Sequence, residues 1–122
     1  MTYGKELILD LHNCDLEMFT REKITKYFIE VCKVIGMERA ELFFWDYEDN
    51  EKERREAAEH LAGVSAVQFI QTSNITVHTL DKLKKVFVNI FTCKDFDQED
   101  AAKFTEWFFG GRIKNKHFIE RV

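Results

Sequence analysis

Proline is absent from this 122-residue chain, glycine occurs five times and cysteine three times. Without proline, collagen-like, proline-rich linker and low-complexity architectures are excluded. Three scattered cysteines make no disulfide framework, so a reducing compartment suits them better than an oxidising one. No apolar run approaches the ~20 residues that span a bilayer, and Met1–Lys5 lacks the apolar stretch of a signal peptide. The expectation is a cytoplasmic protein with no membrane partner. Basic residues number 18 against 22 acidic, a net charge of −4. They form no concentrated stripe, which argues against nucleic acid as a partner.

What is present reads as one folded domain over residues 1–122, with hydrophobic residues at 45% and charged residues at 33%. Twelve phenylalanines point to a core built on rings. Leu7, Leu9 and Leu11 alternate along Lys5–Leu11, predicting a first strand. Ile24, Tyr27, Phe28, Val31, Val34 and Ile35 recur at helical steps over Thr20–Ile35, and Gly36 is placed to end that helix. Glu41–Tyr47 is aromatic enough for a second strand. Asn50–Ala62 is charged, with Asn50 and Glu53 spaced as a capping pair, and predicts an exposed helix laid over the domain. Val64–Gln71 and Asn74–Thr79 predict two strands meeting at Thr72–Ser73. Val86–Thr92 is apolar on both faces, as in a covered central strand. Asp97–Phe109 predicts a helix with Asp97 as its cap and Ala101, Phe104, Trp107 and Phe108 on its apolar face. Lys116–Val122 closes the chain as a last strand. This order predicts an α+β two-layer sandwich, helices on one face of a mainly antiparallel sheet, the other face open to a second copy.

Chemistry is sparse when residues are read one at a time. His12 and Cys14 share a face of an extended segment but do not complete a tetrahedral metal site, so no metal is expected. Cys32 falls mid-helix as a small core residue, while His60 and His117 sit among polar neighbours at the surface. The charged run Glu48–Glu59 reads as a solvated face, and Gly110–Gly111 as a helix end rather than a phosphate loop. Ser65, Ser73, His78 and Cys93 remain, and Ser73 has no flanking glycines of a nucleophile elbow.

Those four residues acquire meaning together. Gly63–Thr79 (GVSAVQFIQTSNITVHT), followed by Val88–Cys93 (VNIFTC), resembles the small prokaryotic S-adenosylmethionine decarboxylases. The intervals Ser65 to Ser73, Ser73 to His78 and His78 to Cys93 match that family without gaps. The opening YGKELILDLHNCD is similar to its glycine-containing first strand ending in Cys-Asp. The resemblance implies a self-processing enzyme with a covalently bound pyruvoyl cofactor and no metal. Ser73 would attack the Thr72 carbonyl, and the chain would split into residues 1–72 and 73–122. Ser73 then becomes the pyruvoyl group that forms a Schiff base with an amine substrate and accepts the electrons released with CO2. By the same resemblance His78 and Ser65 serve processing, Cys93 returns a proton to the substrate carbon, and a homodimer of processed protomers is the expected assembly.

Two departures from the family pattern bear on substrate. Thr72 stands where the family has glutamate before the scissile bond, and an unprocessed, inactive partner protein is the alternative this opens. Thr79-Leu80-Asp81-Lys82 replaces the family's Thr-Trp-Pro-Glu, whose glutamate accepts hydrogen bonds from the ribose hydroxyls; Lys82 can only donate. The expected substrate is therefore S-adenosylmethionine or, after drift, a basic amino acid such as ornithine or arginine. Asp81, Asp46 and Glu48 are candidates to hold its cationic tail, and Phe43, Phe44 or Trp45 to stack on a base.

Overall fold

The computed structural model describes residues 2–48 and 50–122; Met1, and Asp49 within the charged run, lie outside the described residues. Six strands and three α-helices alternate along the chain among the described residues: β1 (Gly4–His12), α1 (Arg21–Ile35), β2 (Arg39–Trp45), α2 (Glu51–Glu56), β3 (Gly63–Ile70), β4 (Ser73–Leu80), β5 (Lys85–Thr92), α3 (Gln98–Phe109) and β6 (Arg112–Arg121). The strands form one sheet in the order β2-β3-β4-β5-β1-β6, every neighbouring pair antiparallel. The expected α+β sandwich is what the chain adopts.

Period-two alternation builds the inner face. Leu7, Leu9 and Leu11 of β1 are buried with Val64, Ala66 and Ile70 of β3, Ile75 and Val77 of β4, and Val86, Val88 and Ile90 of β5. Helices α1 and α3 cover this face. Tyr27 lies at the centre of their contact, its ring 4.9 Å from that of Phe109 and its hydroxyl 2.8 Å from Thr105 Oγ1. A buried phenol with a satisfied hydroxyl keeps its apolar contribution without an orphaned polar atom. Thr20 caps α1 by accepting from Lys23 N, and Gly36 ends it at φ 71°. Asp97 caps α3 in the same way, accepting from Glu99 N and Asp100 N.

Some expectations need correcting. Trp107 does not share the buried stripe of α3; Thr105 fills the middle of that stripe and Trp107 is 75% exposed. Val34 is likewise turned out of α1. The charged helix stops at Glu56, because Ala57 adopts an extended conformation and a helix with no buried face gains nothing by continuing. Strand β5 is covered on its helix face only; Phe87, Asn89 and Phe91 on the other face are half-buried.

Among the described residues the second face of the sheet carries no helix, and it exposes large apolar groups, among them Phe43, Trp45, Phe69 and Ile119. Between β2 and β3 the register shifts from Arg39 to Leu42. Gln68, fully buried, turns its amide to the carbonyls of Ala40 and Glu41 that the irregularity releases.

Gly63 opens β3 where it passes closest to β4: a Cβ there would fall 1.6 Å from the Thr79 carbonyl oxygen. This contact sets the register that pairs Ser65 with His78. Gly63→Ala should therefore destabilise the fold by about 3 kcal/mol, measured by urea unfolding; a change within about 0.5 kcal/mol contradicts this packing.

Candidate active site

The residues singled out by spacing fall into two groups. Ser73 heads β4 and is 5% exposed. Its Oγ accepts a hydrogen bond of 3.1 Å from the backbone N–H of Cys93, just beyond the end of β5. Cys93 turns its thiol to Thr72, with Sγ 3.3 Å from Thr72 Oγ1. Strand β1 runs beside them, and Gly4 has no room for a Cβ against Thr92 and the Cys93 Cα.

The Thr72–Ser73 junction is strained. Ile70 and Ser73 are paired, so Gln71 and Thr72 alone connect β3 to β4. Thr72 takes φ 55°, a left-handed conformation suited to Gly or Asn and poorly tolerated by a β-branched residue. The cost for a non-glycine residue is about 1–2 kcal/mol. Around Thr72 and Cys93 lies a hollow of about 370 Å3, walled also by Met37, Glu38 and Lys94.

Environment separates the three cysteines. Burial pushes the Cys14 and Cys32 thiols up to about 11. Cys93 is exposed, and the hydrogen bond with Thr72 holds its thiol below the ordinary range, helped by Ser73 and opposed by desolvation.

Ser65 and His78 form the second group. They are directly opposed in the β3–β4 ladder and joined by a 2.8 Å hydrogen bond between Ser65 Oγ and His78 Nδ1. His78 projects from the helix-free face, where a hollow of about 290 Å3 also takes in His60, Leu61 and Phe87. Five residues of strand separate Ser73 from His78, about 16 Å along β4. An odd interval also sends the two side chains to opposite faces. Within one chain the structure brings Ser73 to Thr72 and Cys93, and Ser65 to His78, but does not bring the two groups together.

The proposed substrate contacts disperse further. Trp45 and Phe44 alternate on β2: Trp45 pairs with Ser65 on the open face, 86% exposed, whereas Phe44 pairs with Ala66 on the helix face. There the Arg21 guanidinium lies 5.2 Å from the Phe44 ring centre. The two rings cannot line one pocket. Asp81 is not a free carboxylate, since Arg54 of α2 donates to both its oxygens at 2.6 and 2.7 Å and also bonds the Phe19 carbonyl. Lys82 donates to the Ala57 carbonyl. Both residues hold the α2 segment against the β4–β5 turn. Asp46 is similarly engaged by Arg21 at 2.6 and 2.7 Å, which keeps its carboxyl below the usual range. The contact of the Thr72 hydroxyl with Cys93 and the Arg54–Asp81 clamp were not evident from sequence. The odd interval between Ser73 and His78 was there to be read.

The family model described as S-adenosylmethionine decarboxylase matches residues 5–122. A protein called S-adenosylmethionine decarboxylase proenzyme in Caldicellulosiruptor saccharolyticus is 32% identical over 91 residues, covering 74% of this chain and 64% of that one. The alignment thus spans slightly less than two thirds of that relative. A proenzyme of the same name from Clostridium kluyveri is 26% identical over 120 residues, covering 97% and 86% of the two chains. In fold, the chain is similar to the adenosylmethionine decarboxylase of Aquifex aeolicus, with a TM-score of 0.76, 20% identity, and coverage of 98% and 91%. Among the described residues no helix is long and apolar enough to cross a membrane. With nearly its whole length matched, the chain belongs to the S-adenosylmethionine decarboxylase family.

Proposed function

We propose that this protein is a proenzyme that cuts itself between Thr72 and Ser73 and then decarboxylates S-adenosylmethionine through a pyruvoyl group made from Ser73. The observation that carries this reading is the Ser73 hydroxyl, buried at the head of β4 and held by the Cys93 N–H beside a strained peptide. The residues present fit the making of that group. A serine hydroxyl reaches the preceding carbonyl through a five-membered ring. The bond from Ser73 Oγ to the Thr72 carbonyl carbon forms, the bond from that carbon to the Ser73 nitrogen breaks, and the amide becomes an ester. Fixing Oγ by its lone pair leaves the hydroxyl proton free to depart, and left-handed strain at Thr72 is relieved when the chain parts.

Removal of the Ser73 α-proton then expels Thr72 as a carboxylate, and hydrolysis with loss of ammonia leaves the new amino end as a ketone. His78 is the base for the proton removal, since an imidazole accepts protons near neutral pH. In the tautomer whose Nδ1–H donates to Ser65 Oγ, Nε2 keeps its lone pair for that task. The pyruvoyl group supplies a carbonyl that captures the substrate amine and draws in the electrons released with CO2. Cys93 delivers a proton to the substrate carbon that has lost its carboxylate.

His78 is too far from Ser73 to act on it within one chain, so a homodimer completes the site. Two copies packed open face to open face, strands running oppositely, would lay His78 of each over the β3–β4 tip of the other, where it would act on the Ser73 backbone carbon at the sheet end and not on the side chain turned to the helices. Packed sheets lie about 10 Å apart, a gap that side chains bridge. The apolar groups exposed on that face, Phe43, Trp45 and Phe69 among them, suit burial in such an interface.

Lys82 in place of the family's ribose-binding glutamate supports a second reading, in which the substrate is ornithine or arginine. The Arg54 and Arg21 pairings leave Glu48 as the remaining tail partner among the three carboxylates considered. Lys82 itself turns to the Ala57 carbonyl, which favours S-adenosylmethionine. Measured in parallel, CO2 release should be greatest from S-adenosylmethionine; preference for ornithine or arginine reverses the choice. Ser73→Ala and His78→Ala should each be inactive alone. Co-expressed, they should recover about a quarter of wild-type activity, one restored site in each mixed dimer. No recovery, with mixed dimers present, overturns the shared site.

A further inference from the structure

Self-cleavage requires only a carbonyl from residue 72, yet Thr72 also places a hydroxyl at the thiol that returns the proton. Thr72 Oγ1 lies 3.3 Å from Cys93 Sγ and donates to the Gln71 carbonyl at 2.7 Å. One hydroxyl proton therefore has two acceptors within reach. With a neutral thiol, the S–H donates to Oγ1 and the hydroxyl proton stays on the Gln71 carbonyl. Once the thiol has given its proton to carbon, the S–H bond is broken, a C–H bond is formed, and the sulfur is left negative. A rotation about one bond then turns the hydroxyl proton to that sulfur. Solvent restores the thiol proton afterwards.

We propose that Thr72 is a positioning residue for Cys93, its hydroxyl aiming the sulfur and stabilising the charge left on it, in the precursor and in the cleaved enzyme alike. This deepens the reading under Proposed function and rests on it. The direction in which Cys93 is shifted agrees with the geometry, Thr72 being its largest cause.

Cleavage would make Thr72 a chain end bearing a carboxylate, and the same hollow supplies a counter-charge. Lys94 lines it beside Thr72 and Cys93, its ammonium 2.7 Å from the Gly36 carbonyl oxygen. The end of the front fragment is also tethered, because the ladder resumes two residues back at Ile70. Other charges around Cys93 offset one another. Glu38, from the α1–β2 turn, faces the same hollow as Lys94, and Lys5 of β1 is paired with Asp95 at 2.9 Å. The hydroxyl is thus the feature beside the sulfur whose loss should register.

The test is the pH dependence of Cys93 alkylation by iodoacetamide, read by peptide mass mapping on the purified full-length gene product. Cys14 and Cys32 are buried and serve as slow internal references. Thr72→Val keeps the branched shape and removes the hydroxyl. It should move the Cys93 profile to higher pH and slow alkylation at neutral pH roughly fivefold, while Thr72→Ser should match the wild type. A Thr72→Val profile equal to wild type overturns the proposal; equal slowing in Thr72→Ser does so too, by assigning the effect to packing. Intact masses recorded on the same samples report cleavage separately. A chain that is never cut therefore counts against the function proposed above without altering the reading of the thiol.

Discussion

The pleat of strand β4 governs how this molecule can work. Successive side chains of a strand point to opposite faces, and Ser73 and His78 stand an odd number of residues apart on one strand. Ser73 is consequently turned to the helix-covered layer, its hydroxyl accepting from the Cys93 backbone N–H, while His78 meets Ser65 on the open face. Neither side-chain rotation nor a local loop movement can reverse that division, because it is fixed by the hydrogen-bonded ladders on both sides of β4. Within a single copy the two groups of residues therefore stay apart, and large apolar rings stand exposed on the open face.

The same ladder bears on the self-cleavage proposed for this chain. A chain cut between Thr72 and Ser73 is cut at the tip of the β3–β4 hairpin, so eight residue pairs run on from the break. Both fragments also enter the common core: α1 and β1 come from the front part, β5 and α3 from the rear. Release of left-handed strain at Thr72 is then compatible with retention of the fold. The proposed cut would fall at a left-handed, non-glycine residue and at the end of the ladder, where little pairing depends on it.

Much of the architecture was legible as alternation and helical period. The leucines of β1, the stripe of α1 and the apolar run of β5 each specified their element, and Thr20, Gly36 and Asp97 marked helix ends by local chemistry. Where reading failed, tertiary contacts had decided. The α2 segment ends early because it buries nothing, and Asp81 and Lys82 face it because Arg54 and the Ala57 carbonyl draw them there. Phe44 and Trp45, named in sequence as alternative stacking rings, lie on the two faces of one strand. The candidate residues Ser65, Ser73, His78 and Cys93 stood out through spacing that matches a family. Their partition between faces was not drawn from that spacing, although the odd interval already contained it. The hydroxyl of Thr72 carried no sequence signal, since its significance depends on a turn that brings it to Cys93.

The proposed chemistry requires the Ser73 hydroxyl to sever its own preceding peptide bond. Intact-mass measurement of freshly purified protein, before and after incubation and borohydride treatment, tests this most directly. The prediction is two chains, one ending at Thr72 and one starting at position 73, the latter lighter by one ammonia than a serine-started fragment and gaining two hydrogens on reduction. A single chain of 14.5 kDa that persists unchanged through incubation would contradict it.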